Sequence, residues 1–182
     1  LETIASYAKY GNIVCLETVN HSQLSSVYVD RKPACREAFR WLKELGYQHL
    51  ALVFTRKDKR SSTYRMVREA YDEVYGSEHE PVIIEGVTIE EDAYQKAQEL
   101  WNHPEIDCIQ MEMTWQQALC RLMKKLENSS PSSWGKKTCW LDGSWVSLPY
   151  TTKSYQLGQE SFKQVLSEEK KTIVLKSEFI QR

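Results

Sequence analysis

Polar residues that could hold a hydroxyl-rich ligand lie at or after the ends of predicted strands in this 182-residue chain. They are Glu17, Arg65, Thr114, Asp142 and Thr152. Carboxylates accept hydrogen bonds from neighbouring hydroxyl groups, and an arginine donates in a fork. Trp115 and Trp145 lie close to two of these positions and could cover the apolar face of a sugar ring. The set favours a binding site for a polyhydroxylated small molecule, although each residue also has an ordinary structural interpretation.

Motifs of the common catalytic classes are absent from the sequence. There is no GxSxG, P-loop or GxGxxG pattern, and the chain has seven glycines without a glycine-rich loop. The four histidines are scattered and form no HExxH or short metal-binding pair. The sequence therefore predicts a protein that is not an enzyme and needs neither a metal nor a cofactor.

Composition is that of a soluble globular protein, with 41% hydrophobic and 27% charged residues. A net charge of −1 gives no basic surface for nucleic acid. The five cysteines have no CxxC spacing, which favours reduced, buried thiols in a cytoplasmic protein. No apolar run approaches the ~20 residues that span a bilayer, and no signal peptide leads the chain, so no membrane association is expected.

The stretch Ser25–Phe54 organises the chain as strand, helix and strand. SSVYVD is rich in β-branched and aromatic residues, and Pro33 suits the first turn of a helix. The helix is predicted to bury Ala38, Phe39, Leu42 and Leu45 and to end at Gly46. LALVF is then a short apolar run typical of a strand covered on both faces.

The remaining elements repeat this alternation. Strands are predicted at Asn12–Leu16, Val82–Ile84, Asp107–Met113, Lys137–Leu141, Thr172–Leu175 and Glu178–Ile180, with Val146–Thr152 extended. Helices are predicted at Leu1–Tyr10, Thr63–Tyr75, from Thr88, at Thr114–Leu126 and at Leu157–Leu166. Thr88 and Glu91 would form a capping box before a face that includes Ile89, and the last helix would turn Phe162, Val165 and Leu166 inward. Strands alternating with helices predict doubly wound, parallel α/β layers in one or two lobes.

Several of these motifs, in this order, resemble the effector-binding core of LacI-type transcriptional regulators. VYVD followed by WLKELGYQHLALVF resembles that family's V-x-V-D strand, helix end and next strand. PEIDCIQM, TCWLDG, LGQESFKQVL and FIQR resemble its later strands and helix, so the resemblance covers nearly the whole chain. By position, Arg65 matches the sugar-gripping arginine and Asp142 the first aspartate of a Gly-aromatic-Asp-Asp motif.

The resemblance implies a periplasmic-binding-protein-like fold of type I, with two parallel-sheet lobes and the effector between them. Residues 1–32 and 147–168 would belong to an incomplete N-terminal lobe, and 33–146 and 169–182 to the C-terminal lobe. SSVYVD and LALVF would then lie in different lobes, joined by the helix that Pro33 opens. The helix-turn-helix headpiece would lie outside this chain, which opens without a methionine or a helix cap and is interpreted as a fragment.

Departures from the family pattern affect the predicted site. EMTW stands where Asn-Asp is usual, Asp30-Arg31 replaces Asp-Asn, and Glu17 stands where an aspartate is usual. Arg68-Glu69 follows Arg65 in place of a Gly-aromatic pair. If Ala70-Tyr71 is the true counterpart of that pair, Val67 replaces the arginine.

The implied function is sugar or metabolite sensing by a homodimeric regulator that contacts DNA only through its headpiece. One alternative is a transport-type solute-binding protein of the same architecture, which would carry a signal peptide upstream. Another is a small α/β enzyme, which would carry a cluster of titratable groups with strongly shifted pKa values in its cleft.

Overall fold

In the computed structural model of the protein, the described residues are 1–16, 19, 21–101, 103, 105–111, 140, 141, 144, 145 and 153–178. The helices are α1 (Glu2–Ala5), a 3₁₀ helix (Ser6–Tyr10), α2 (Lys32–Glu44), α3 (Ser62–Tyr75), α4 (Glu90–Trp101) and α5 (Ser154–Leu166). The strands are β1 (Val14–Cys15), β2 (Ser25–Asp30), β3 (Leu50–Phe54), β4 (Val82–Glu85), β5 (Cys108–Met111), β6 (Trp140–Leu141), β7 (Ser144–Trp145) and β8 (Thr172–Lys176). The chain divides into two compact units, one of Leu1–Ala34 with Tyr150–Arg182 and one of Cys35–Pro149.

The first unit contains a parallel sheet in the order β1-β2-β8. β2 is the central strand, and Val27 is fully buried where it pairs with Ile173. The pairing of β8 with β2 places Thr172–Lys176 in the first unit. The family resemblance predicts residues 169–182 in the other lobe, and for β8 this prediction is wrong because its strand partner lies before α2.

Helix α5 in the first unit buries a polar residue and exposes apolar ones. Gln164 is buried, and its Nε2 donates to Ser25 Oγ at 3.1 Å and to the carbonyl oxygen of Glu169 at 2.5 Å. Phe162 is 66% exposed, and Val165 and Leu166 are exposed as well. The prediction that these three face inward is wrong, because helical spacing identifies residues that share a face but not the element that would cover it.

The second unit contains a parallel sheet in the order β4-β3-β5. All five residues of β3 are buried, as expected for a strand covered on both faces. Because β2 and β3 lie in different sheets, α2 links two sheets and is not a crossover within one. Each unit is thus built on parallel strands with helices, which confirms the predicted α/β class.

Helix α2 begins at a polar cap and ends at a glycine. Asp30 Oδ1 accepts a hydrogen bond from the backbone N–H of Lys32 at 3.1 Å, satisfying one of the donors that a helix start leaves free. Gly46 has a φ of +95°, a conformation that glycine adopts without the penalty a side chain would bring. Leu45 lies beyond the helix end and is 45% exposed, so its predicted burial is wrong.

An aromatic cluster holds α2 against α3. Phe39 packs edge-on against Tyr71, with ring centroids 5.6 Å apart, and against Tyr75 at 6.4 Å. The rings of Tyr71 and Tyr75 stack at 4.7 Å, and the Tyr75 hydroxyl donates to the carbonyl oxygen of Tyr47 at 3.0 Å. Burial raises the pKa of Tyr71 to about 12, as expected when a phenol is removed from water.

The start of α4 is capped by Asp92 and not by Glu91. Asp92 Oδ2 accepts from Thr88 Oγ1 at 2.7 Å, from the Thr88 N–H at 2.9 Å and from the Ile89 N–H at 3.1 Å. These donors, led by the Thr88 hydroxyl, hold the pKa of Asp92 below its usual value. The helix begins two residues after Thr88, which moves the capping carboxylate from Glu91 to Asp92 and leaves Ile89 exposed.

Replacing Asp92 by asparagine is expected to lower the melting temperature at neutral pH but not in strong acid. The depressed pKa means that the carboxylate stabilises the fold fully above its unfolded-state pKa, and that this contribution is lost as pH falls through the folded-state value. Thermal unfolding of the wild type and Asp92→Asn across the acid range checks this, with the exposed Glu91→Gln as matched control. A difference that persists unchanged at the lowest pH would contradict the cap assignment.

The remaining described strands, β6 and β7, form an antiparallel pair with Trp140 opposite Trp145 and Leu141 opposite Ser144. The predicted strand Lys137–Leu141 is described only over Trp140–Leu141. The predicted helix Thr114–Leu126 and the extended run Val146–Thr152 lie outside the described residues.

Candidate functional site

Of the five residues predicted to contact a ligand, Arg65 alone falls among the described residues. Glu17, Thr114, Asp142 and Thr152 lie outside them, so their placement stays a prediction. The site is therefore built from Arg65 and from the described side chains at the carboxyl edge of the β4-β3-β5 sheet. In open parallel sheets this edge is where ligands bind.

Arg65 lies in the first turn of α3, the helix that follows β3. Ser61 caps this helix, its Oγ accepting from the backbone N–H of Tyr64 at 3.1 Å. The Arg65 N–H donates to the carbonyl oxygen of Ser61 at 3.1 Å, and its side chain is exposed. Within the described part of the chain no carboxylate pairs with its guanidinium. Five N–H donors are thus available at the strand edge for a ligand with acceptor oxygens.

Two neighbours of Arg65 in α3 have structural roles. Arg68 donates from Nε to Asp72 at 2.9 Å and from Nη1 to Glu80 at 2.8 Å, and the hydrogen bond to Glu80 lowers the pKa of that carboxylate. Val67, the arginine's counterpart in the alternative alignment, is buried in the core. We therefore take Arg65 as the candidate ligand-binding residue of α3.

An aromatic pair lies beside the first turn of α3. Phe54, the last residue of β3, and Tyr64 have ring centroids 4.7 Å apart with planes tilted by 43°. Phe54 is buried, whereas Tyr64 is half-buried. The exposed part of such a pair can contact the apolar face of a sugar ring while donors such as Arg65 bind its hydroxyl oxygens.

Glu85 is a candidate that the sequence reading missed. It is the last residue of β4, is paired in register with Phe54, and has a buried carboxylate oxygen, Oε1, without a hydrogen-bond partner among the described residues. The five predicted candidates follow other strands or extended segments, and none of them ends β4. The signal was present in the sequence, because VIIE places a carboxylate at the end of an apolar strand.

At the carboxyl edge of the β1-β2-β8 sheet, Asp30 is occupied by structural contacts. Its carbonyl oxygen accepts from Ser177 Oγ at 2.7 Å and from the Ser177 N–H at 3.2 Å, while its carboxylate caps α2. Lys153, which precedes α5 and has a φ of +44°, pairs with Glu178 at 3.6 Å. These contacts fix the strand ends of the first unit.

The described residues were also compared with the requirements of metal sites, disulfides and membrane-spanning helices. No group of three or more histidine, cysteine or acidic side chains there could hold a metal ion. Cys15, Cys35 and Cys108 form no disulfide among the described residues, and the last two are buried. Over the same residues, no helix combines the length and apolar character needed to cross a membrane.

Comparison with solved structures identifies the fold. One match is a LacI family transcriptional regulator from Enterococcus faecium with bound ribose. The match covers 100% of this chain and 74% of the regulator's chain, with a TM-score of 0.69 and 16% sequence identity. A second match is the Cra transcriptional dual regulator from Pseudomonas putida in complex with fructose 1-phosphate. It covers 100% of this chain and 73% of the regulator's chain, with a TM-score of 0.72 and 16% sequence identity. The chain has the fold of LacI-family transcriptional regulators. The resemblance read from the sequence motifs is confirmed at this level.

Sequence similarity to the LacI family is more limited. Catabolite control protein B of Bacillus subtilis is 31% identical over 75 residues, which is 41% of this chain and 24% of that protein. No family model matches the chain. The chain thus matches about a quarter of that curated relative's length. The fold match to LacI-family regulators, in contrast, covers the whole of this chain.

Proposed function

We propose that this chain is the effector-binding and dimerisation region of a LacI-type transcriptional regulator. It binds a small metabolite, a sugar or sugar-like molecule, and thereby controls DNA binding by a helix-turn-helix headpiece that is not part of this sequence. The observation that carries the proposal is the fold match over the whole chain to regulators crystallised with ribose and with fructose 1-phosphate. The protein would act in the cytoplasm, as a homodimer, without catalysing a reaction.

The effector would bind at the carboxyl edges of the parallel strands. Arg65 would donate to its oxygens, and the carboxylates of Glu17 and Asp142 would accept from its hydroxyl groups. Thr114 and Thr152 would add single polar contacts. A location between two lobes, expected from the sequence resemblance, stays a prediction.

Regulation would follow from differential binding. An effector shifts a conformational equilibrium only by the difference in its affinity for the two states. Arg65 and the carboxylates would supply that difference if they reach the ligand fully in one state only. The same coupling then requires operator DNA, bound through the headpiece, to change effector affinity by an equal factor.

A ligand screen tests the proposal. We expect at least one sugar or sugar phosphate from a panel that includes ribose and fructose 1-phosphate to raise the melting temperature of the protein, because a ligand that binds only the folded state stabilises it. Calorimetric titration of that compound should give a saturable, one-site isotherm. Absence of both signals across the panel would contradict a sugar-responsive regulator.

A further inference from the structure

Glu85 carries an unsatisfied acceptor at the proposed effector site. Its Oε1 is buried and has no hydrogen-bond partner among the described residues. A buried polar atom without a partner costs roughly 1–3 kcal/mol, and a carboxylate more, so such atoms are rare in folded proteins. Glu85 as a whole is half-buried at the end of β4, so a ligand at the strand edge could supply the missing donor to its carboxylate.

Glu85 has close neighbours at the end of β4. Its strand neighbour Phe54 is buried, and the Phe54 carbonyl oxygen accepts from the Val87 N–H at 3.3 Å. Gly86 follows with a φ of +79°, and the stem of Lys57 lies where a Cβ at Gly86 would be.

The loop of residues 56–60 favours a different ligand from the one that the Glu85 carboxylate favours. It contains four basic side chains and one aspartate, a composition that would attract an anion such as a phosphate ester. All five residues are exposed, however, so water satisfies their charged groups. Water can solvate the exposed cations of this loop in the free protein, whereas the buried Glu85 oxygen has no donor there. The buried acceptor is therefore the stronger indication of what the ligand supplies.

We propose that Glu85 accepts hydrogen bonds from hydroxyl groups of the effector, and that this effector is an uncharged sugar or polyol in preference to its phosphate ester. A carboxylate accepts hydrogen bonds from hydroxyl donors and has the same sign of charge as a phosphate group. The inference rests on the proposed function, since it concerns the ligand of that same site. It makes Glu85 a specificity-determining residue.

The test compares sugars with their own phosphate esters. Ribose, glucose, galactose and fructose, each paired with its monophosphate, are titrated into the whole chain by calorimetry. For the pair that binds, we expect the uncharged member to bind at least about tenfold more tightly. Tighter binding of the phosphate ester overturns the inference and leaves the proposed function standing.

Variants then isolate the carboxylate. Glu85→Gln is expected to weaken sugar binding about tenfold and to narrow the discrimination against the phosphate ester. Glu37→Gln, at an exposed position on α2, is the matched control and should bind as the wild type does. Unchanged affinity and selectivity in Glu85→Gln overturns the assignment. If that variant fails to fold, the wild-type preference alone decides, and a wild type that binds neither member of any pair overturns the proposed function together with the inference.

Discussion

Replacing Phe39 by alanine is expected to lower the free energy of unfolding of the second unit by about 3–5 kcal/mol. The Phe39 side chain is completely buried and packs edge-on against both Tyr71 and Tyr75. The substitution removes this burial and leaves a cavity between α2 and α3, which close packing prevents the neighbours from filling. Urea unfolding followed by circular dichroism measures the change.

The chain provides a matched control for this substitution. Phe162, on α5, is 66% exposed, and Phe162→Ala should change the free energy of unfolding by about 0.5 kcal/mol or less. If the two variants lose similar amounts, or if Phe39→Ala unfolds as the wild type does, the aromatic cluster is not the core contact that joins α2 to α3.

Arg65→Ala is expected to weaken effector binding about 10- to 100-fold, because a hydrogen bond from a charged group contributes roughly 1.5–3 kcal/mol. The side chain is exposed and unpaired within the described residues, so its removal should leave the melting temperature of the free protein unchanged. Titration of the effector that the ligand screen identifies measures the loss. Asp142→Ala, carried over from the sequence resemblance, is expected to act in the same direction.

Arg40→Ala is the control for Arg65→Ala. Arg40 is also exposed and belongs to the same unit, but it lies on α2 and not at the strand edge. Wild-type affinity in the Arg65 variant would show that the effector does not use the first turn of α3. A loss in both would indicate that general positive charge, not one positioned guanidinium, attracts the ligand.

Local sequence patterns predicted the central elements well. Gly46 and the buried run LALVF marked the end of one helix and the strand that follows, and both are present. Local patterns alone did not show that β2 and β3 belong to different sheets, because strand partners are set by contacts far apart in sequence. The family resemblance supplied that division, although it placed β8 in the wrong lobe.

Failures occurred where burial depends on a neighbour that periodicity cannot identify. Phe162 and Leu166 share a face of α5, and this face is exposed while Gln164 is buried. Gln164 could not have been predicted, since its burial depends on a hydrogen bond to Ser25, which is 139 residues away. The predicted capping box of α4 was wrong for a simpler reason. The helix begins one residue later than a cap at Thr88 requires.

The candidate site was partly predictable. Arg65 followed from its position after a buried strand, and the structure places it in the first turn of α3. Glu85 required the structure, because an unsatisfied carboxylate oxygen depends on which donors the folded chain brings near it. A strand-ending carboxylate is visible in the sequence, but its missing partner is not.

The central claim is that an effector binds at the carboxyl edge of the β4-β3-β5 sheet. Amide-resolved NMR of the labelled protein during titration with the identified sugar tests it most directly. We expect the largest chemical-shift changes at Thr55, Tyr64, Arg65, Glu85 and Gly86, with saturation at one common affinity. Changes confined to the exposed face of α2, around Arg40 and Glu44, or no saturable change at the strand edge, would contradict it.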